Sequence, residues 1–220
     1  MKPALFGHPF SSYTQKVLIA LYESDIDFDF REISPDHPAN ATEWLQRWPI
    51  AKFPVWIEGD KTVAETSIII EHVQLSRPAA VKLIPYDARM ALDVRFLDRF
   101  FDSHVMTPMQ HAVNGALTGK TERRDEARAH AREKLEVAYA WLEQTLAGRA
   151  WAAEEGFSMA DCAAAPSLFY ADWTHEIDAA KYPWLRAYRA RLLARPSVAR
   201  AVDGGRPYRH LFPLGAPDRD

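Results

Sequence analysis

The chain has 220 residues, 48% of them hydrophobic and 26% charged, and 27 Lys and Arg against 30 Asp and Glu leave a formal net charge of −3. That composition excludes a fully disordered chain, and 7 basic against 11 acidic groups in residues 1–78, with 20 against 19 beyond, exclude a nucleic-acid binder recognised by basic charge. No apolar run approaches the roughly 18 residues of a membrane span, and Met1-Lys2-Pro3-Ala4-Leu5-Phe6-Gly7 lacks the apolar stretch of a secretory signal, so a cytoplasmic chain is expected.

In chain order, Pro3 to Phe6 predicts a buried strand, and Thr14 to Glu23, apolar at Val17, Leu18 and Leu21, predicts a helix. Asp27-Phe28-Asp29-Phe30-Arg31-Glu32-Ile33 alternates, which predicts a strand with Phe28, Phe30 and Ile33 near or on its inner face. A short helix around Thr42 to Arg47 follows. Phe53-Pro54-Val55-Trp56-Ile57 and Thr62-Val63-Ala64, joined through Glu58-Gly59-Asp60-Lys61, form a hairpin, and Ser67 to Gln74 closes the unit as a helix. The result is a βαβ-ββα layer over residues 1–78. Ser76-Arg77-Pro78 and Ile84-Pro85-Tyr86-Asp87 bracket a linker, 79–87, after which the period is helical: Met90, Val94, Leu97, Phe101 and Val105 step by three or four, as do Ala127, Ala131, Leu135, Ala138, Leu142 and Leu146. Residues 88–212 are therefore expected to be a bundle of four to six helices. Its end at Gly204-Gly205-Arg206-Pro207 leaves a tail that packs back through Tyr208, Leu211 and Phe212.

Three local features can carry chemistry. Pro9-Phe10-Ser11-Ser12-Tyr13-Thr14-Gln15-Lys16 puts hydroxyls at a helix start after a strand; a Ser there is an N-cap, a donor to a bound group, or both. Pro54 opens a strand, where its missing N–H is tolerated, with a cis bond as one way to make the turn. Ala64-Glu65-Thr66-Ser67 places a carboxylate and two hydroxyls at another helix start, suited either to capping or to a ligand carboxylate. Cys162 is the single cysteine, so disulfides, CxxC pairs and thiolate zinc clusters are excluded, and any thiol chemistry must come mainly from a ligand. The eight His residues show no HExxH-type pairing, so no metal site is expected, and His8 reads as a solvated loop residue.

Together these features resemble the cytosolic glutathione transferase family over essentially the whole chain. The resemblance implies an α/β thioredoxin-like N-terminal domain, an all-α C-terminal domain, glutathione as co-substrate with no further cofactor, and a homodimer acting on a small hydrophobic electrophile. Carried over by position, Phe53 and Pro54 bind the cysteinyl part of glutathione, Glu65 and Thr66 hold its γ-glutamyl end, and Lys52 faces the glycyl carboxylate. Tyr-using classes carry their Tyr near the end of the first strand, where this chain has Phe6 and Gly7. The Ser-using zeta, theta and phi classes place Ser five residues before a basic residue, as Ser11 stands to Lys16, so Ser11 is the expected thiol activator, with Ser12 and Tyr13 as competing hydroxyls. Where many relatives have Asn-Pro-x-Gly-Lys, this chain has Trp48-Pro49-Ile50-Ala51-Lys52. Gly156-Phe157-Ser158-Met159-Ala160-Asp161 resembles the family's buried capping box, making Ser158 and Asp161 structural, with Cys162 a core residue beside them. Candidates for an apolar wall are Phe100, Phe101, Met106, Met109, Tyr170 and Trp173, each of which also reads as ordinary core. A ligand carrier or scaffold, or a glutathione-dependent isomerase, dehalogenase or peroxidase, is the alternative on the same fold.

Overall fold

The computed structural model describes residues 2–77, 81–153 and 156–219. The predicted boundary at Pro78 and residues 79–80 of the predicted linker lie outside them. Strands β1 (Ala4–Gly7), β2 (Asp29–Glu32), β3 (Val55–Glu58) and β4 (Lys61–Ala64) form one sheet in the order β2-β1-β3-β4. β1 runs parallel to β2, pairing Leu5 with Phe30, and antiparallel to β3, pairing Leu5 with Trp56; β3 and β4 form the hairpin. Side-chain alternation divides this sheet between two cores. Leu5, Trp56 and Val63 pack with helices α1 (Ser12–Glu23) and α3 (Thr66–Ser76), while Phe6, Val55 and Ile57 pack with Trp44 of α2 (Pro38–Arg47). Phe28 and Phe30 join the first core. Ile33 joins the second, because an odd step along an extended chain reverses its face.

Six α-helices follow among the described residues: α4 (Ala88–Phe100), α5 (Thr107–Leu117), α6 (Thr121–Thr145), α7 (Met159–Thr174), α8 (Pro183–Leu193) and α9 (Pro196–Gly205). Asp87 caps α4, its carboxylate accepting from the N–H groups of Arg89 and Met90 at 2.9 and 3.0 Å. The described part of the predicted linker is packed: the Gln74 amide bonds both the N–H and the carbonyl of Ile84, and the Leu83 carbonyl accepts from Met159 N–H. Helix α7 is buried along its whole length and receives α1 and α4 on its sides. Its start is the predicted capping box, in which Ser158 N–H donates to Asp161 Oδ2 at 2.8 Å, while the Tyr188 hydroxyl and Ala152 N–H donate to Oδ1. Cys162 is fully buried beside it.

Between α4 and α5 the rod widens into a π-helical turn, Phe101–Met106, where Thr107 N–H reaches back to the Asp102 carbonyl. Apolar positions Leu97, Phe101, Val105 and Met109 step by four. Each such step drifts about 40° on a 3.6-residue helix, and the wide turn absorbs that drift while leaving Asp102 mostly buried beside Lys16 and Ser103 exposed. Among the described residues no helix is long and apolar enough to cross a membrane.

Candidate active site

The loop between β1 and α1 carries the first group of residues. Gly7 ends β1 where Thr14 crosses it: an added Cβ would lie 2.6 Å from Thr14 Oγ1, so this strand end has no room for a tyrosine. Ser11 is the N-cap of α1, in extended backbone, its Oγ accepting Thr14 N–H at 3.3 Å. A cap uses only the hydroxyl oxygen, and among the described residues the hydroxyl hydrogen has no acceptor. Ser12, at the first helical position, is buried, and Tyr13 is partly so; burial and the Asp102 carboxylate push the Tyr13 phenol up. His8 is a half-buried loop residue. Its Nδ1 accepts Phe10 N–H at 3.2 Å, its ring meets Tyr208 edge-on, and burial lowers its pKa, which disfavours a protonated role.

The Phe53–Pro54 bond is cis, and Pro54 is buried immediately before β3. Lys52 is exposed; its carbonyl accepts the Trp44 indole N–H at 3.1 Å, anchoring the segment to α2. Ala51 sits at φ 57°, the left-handed region that favours glycine. Ala51 thus holds a backbone that suits the Gly of the Asn-Pro-x-Gly-Lys pattern it departs from.

Glu65 has φ 69° and ψ 120°, outside the basins open to a side-chain-bearing residue. It precedes α3 as the N-cap and makes no side-chain cap bond, so Thr66 and Ser67 do not cap the helix and its first N–H groups stay available. Ser67 instead donates to Asp98 Oδ2 at 2.6 Å and accepts from Lys16 Nζ at 3.0 Å. Lys16, 1% exposed, lies 2.7 Å from Asp98 Oδ1 and 2.8 Å from Asp102 Oδ2. Burial pushes the Asp102 carboxyl up against the pull of Lys16. The basic residue that the spacing singled out is therefore a buried tie from α1 to α3, α4 and the π-helical turn.

All these segments open into one cavity of about 1010 Å³. Ser11, Ser12, Tyr13, Lys52, Phe53, Pro54, Glu65 and Thr66 line one side. Across it stand Met109, Val113 and Leu117, spaced four apart along one face of α5, with Tyr170, Leu211, Phe212 and Pro213. Four of the six expected wall residues do not line the cavity: Phe101 and Met106 are 0% and 1% exposed and pack into the core. Trp173 is likewise buried beside Phe212, and Phe100 stacks on Trp141 away from the cavity. Tyr170 lines it as expected. Val113, Leu117, Arg99, Asp98 and Asp102 were not foreseen; the four-residue spacing of Met109, Val113 and Leu117 was the available signal.

The model described as the N-terminal domain of glutathione S-transferase matches residues 5–79, and that of the C-terminal domain matches residues 96–196. The chain is 34% identical to glutathione S-transferase F6 of Arabidopsis thaliana over 70 residues, 31% of this chain and 34% of that protein. It is 28% identical over 218 residues to a probable maleylacetoacetate isomerase of Vibrio cholerae, covering 94% and 98% of the two chains. Among solved structures, a glutathione transferase homologue from Drosophila mojavensis with bound glutathione superposes with a TM-score of 0.80 at 22% identity, over 94% of each chain.

Proposed function

The chain belongs to the glutathione S-transferase family, and from that premise we propose that it binds glutathione in this cavity and uses Ser11 to hold the thiolate for attack on a small apolar electrophile. The γ-glutamyl end lies at Glu65, Thr66 and the free N–H groups of α3; the cysteinyl backbone bonds Phe53 beside Pro54; the glycyl carboxylate faces Lys52. The observation that carries this reading is that one cavity joins the strand and helix ends bearing Ser11, Pro54, Glu65 and Thr66 to the apolar side chains Met109, Val113 and Leu117 of α5 and Phe212 of the tail.

The energetics suffice without a metal or a base. Lowering a thiol from about 8.5 to about 6.5 takes roughly 2.7 kcal/mol. A hydroxyl bonded to the thiolate supplies about 1.5 to 3 kcal/mol, and the positive end of α1 about 0.3 to 1 more. Ser11 meets the geometric requirement because capping occupies its oxygen and leaves its hydrogen to give. Ser12 and Tyr13 line the same cavity and are the hydroxyls against which Ser11 is tested. The electrophile sits against Met109, Val113, Leu117, Tyr170 and Phe212.

Likeness to a probable isomerase over 94% of this chain supports a second reading, in which glutathione adds to the substrate and leaves again. Following free thiol during turnover separates the two: a transferase consumes one glutathione per product, an isomerase none. We also propose a cytoplasmic homodimer, the assembly the family resemblance implies. The test of the site is calorimetry on Glu65→Ala and Thr66→Ala. Both should weaken glutathione binding while the protein stays folded, and unchanged affinity in both would remove these residues from the site.

A further inference from the structure

We propose that Tyr170, in the buried helix α7, is a positioning residue that holds the Ser11 loop in register through its hydroxyl. This rests on the reading of Ser11 above. Residues 8–11 present four consecutive carbonyls, and Pro9 contributes no N–H, so the loop cannot satisfy itself. His8 O accepts Ser11 N–H at 2.9 Å and Ser11 O accepts Gln15 N–H at 2.9 Å. The two carbonyls between them depend on side chains: Pro9 O accepts Gln15 Nε2 at 3.0 Å, and Phe10 O accepts the Tyr170 hydroxyl at 2.9 Å. Gln15 Nε2 also donates to the Tyr170 oxygen at 3.1 Å, closing the pair. Nothing local in sequence makes this tie, since Tyr170 lies 160 residues from Phe10.

The same geometry separates positioning from catalysis. Tyr170 has one hydroxyl hydrogen, and Phe10 O takes it; a lone pair is taken by Gln15. Burial pushes the phenol well above its ordinary range, so it stays neutral. It has no proton left for a thiolate and no charge to offer. What it controls is the carbonyl directly before Ser11, and with it the direction of the Ser11 hydroxyl. Its ring is held edge-on to Phe10 and stacked on Phe212, so removing the hydroxyl leaves the packing intact.

The experiment is thiolate absorbance of enzyme-bound glutathione against pH, on wild type, Tyr170→Phe, Ser11→Ala and the double variant. Tyr170→Phe should raise the bound thiol pKa by about half to one unit and lower kcat up to about tenfold below that pKa, with glutathione affinity at low pH within about twofold. In the Ser11→Ala background it should add nothing, because it acts through Ser11. If Ser11→Ala shifts the titration and Tyr170→Phe does not, this inference fails and the Ser11 reading stands. If neither shifts it, both fail. An equal shift in both backgrounds also overturns positioning, since the hydroxyl then acts without Ser11. Should Tyr170→Phe not fold, Gln15→Met, which removes the other half of the tie, is judged by the same outcomes.

Discussion

Ser11→Ala removes two bonds made by one hydroxyl, and they can be measured apart. The first is the cap on Thr14 N–H at 3.3 Å, near the long end for a hydrogen bond. Its loss should cost about 0.5 to 1 kcal/mol, the low end for an N-cap, or about 1 to 4 °C in Tm for a chain of this size. The second is the proposed bond to the thiolate, worth about 1.5 to 3 kcal/mol, so the pKa of bound glutathione should rise by about one to two units. The neutral thiol loses much less, and affinity at low pH should barely change. Ser11→Asp divides the two effects, because aspartate caps as well as serine but brings a negative charge and no hydrogen to the sulfur. It should restore Tm and leave the thiolate pKa at least as high as in Ser11→Ala. The assays are thermal unfolding and ultraviolet thiolate titration, with Ser12→Ala and Tyr13→Phe alongside. A wild-type titration in Ser11→Ala, with a shift in Ser12→Ala or Tyr13→Phe, would move the role by one or two positions. A wild-type titration in all three would refute activation by a hydroxyl.

Three further outcomes are expected. Ala51→Gly should stabilise the fold by about 0.5 to 1 kcal/mol, because relief of a left-handed φ, about 1 to 2 kcal/mol, exceeds the added entropy of an unfolded glycine; denaturant titration with an unchanged or lower midpoint would contradict this. Lys16→Met should destabilise by about 3 to 5 kcal/mol, since Asp98 and Asp102 would be left as buried carboxylates without their cation; urea unfolding within 1 kcal/mol of wild type would show the cluster to be solvated. Sedimentation should give twice 25.0 kDa for the wild type. A wild-type monomer at low micromolar concentration would refute the dimer.

Local patterning carried much of the fold. The alternation at residues 27–33, the Gly-bearing turn after Ile57, which the structure shortens from the expected four residues to Gly59-Asp60 between the paired Glu58 and Lys61, the repeat of Ala127 to Leu146 and the Ser158–Asp161 box each report a backbone state whose cause lies within a few residues. They found β2, the hairpin, α6 and the start of α7. Hydroxyl placement marked the helix starts at Ser11 and at Glu65–Thr66, and Pro54 marked the opening of β3, because helix starts and strand openings are local events.

The apolar wall was not legible in this way. Periodicity says that Phe101, Met106 and Met109 share the inward stripe of a helix, but whether a neighbour fills the space beside each one depends on where α7 and the tail lie. Phe101 and Met106 meet α7 and vanish into the core, whereas Met109 and Val113 face the gap left between α5 and Phe212. The π-helical turn, the left-handed backbone at Ala51 and Glu65, and the bonds from Tyr170 to Phe10 and from Lys16 to Asp98 likewise join or strain residues by tertiary packing. Sequence by itself determined which elements form and which chemical groups stand at their ends; only the tertiary structure decided which side chains are left facing the cavity, because that depends on the space remaining once distant helices have packed.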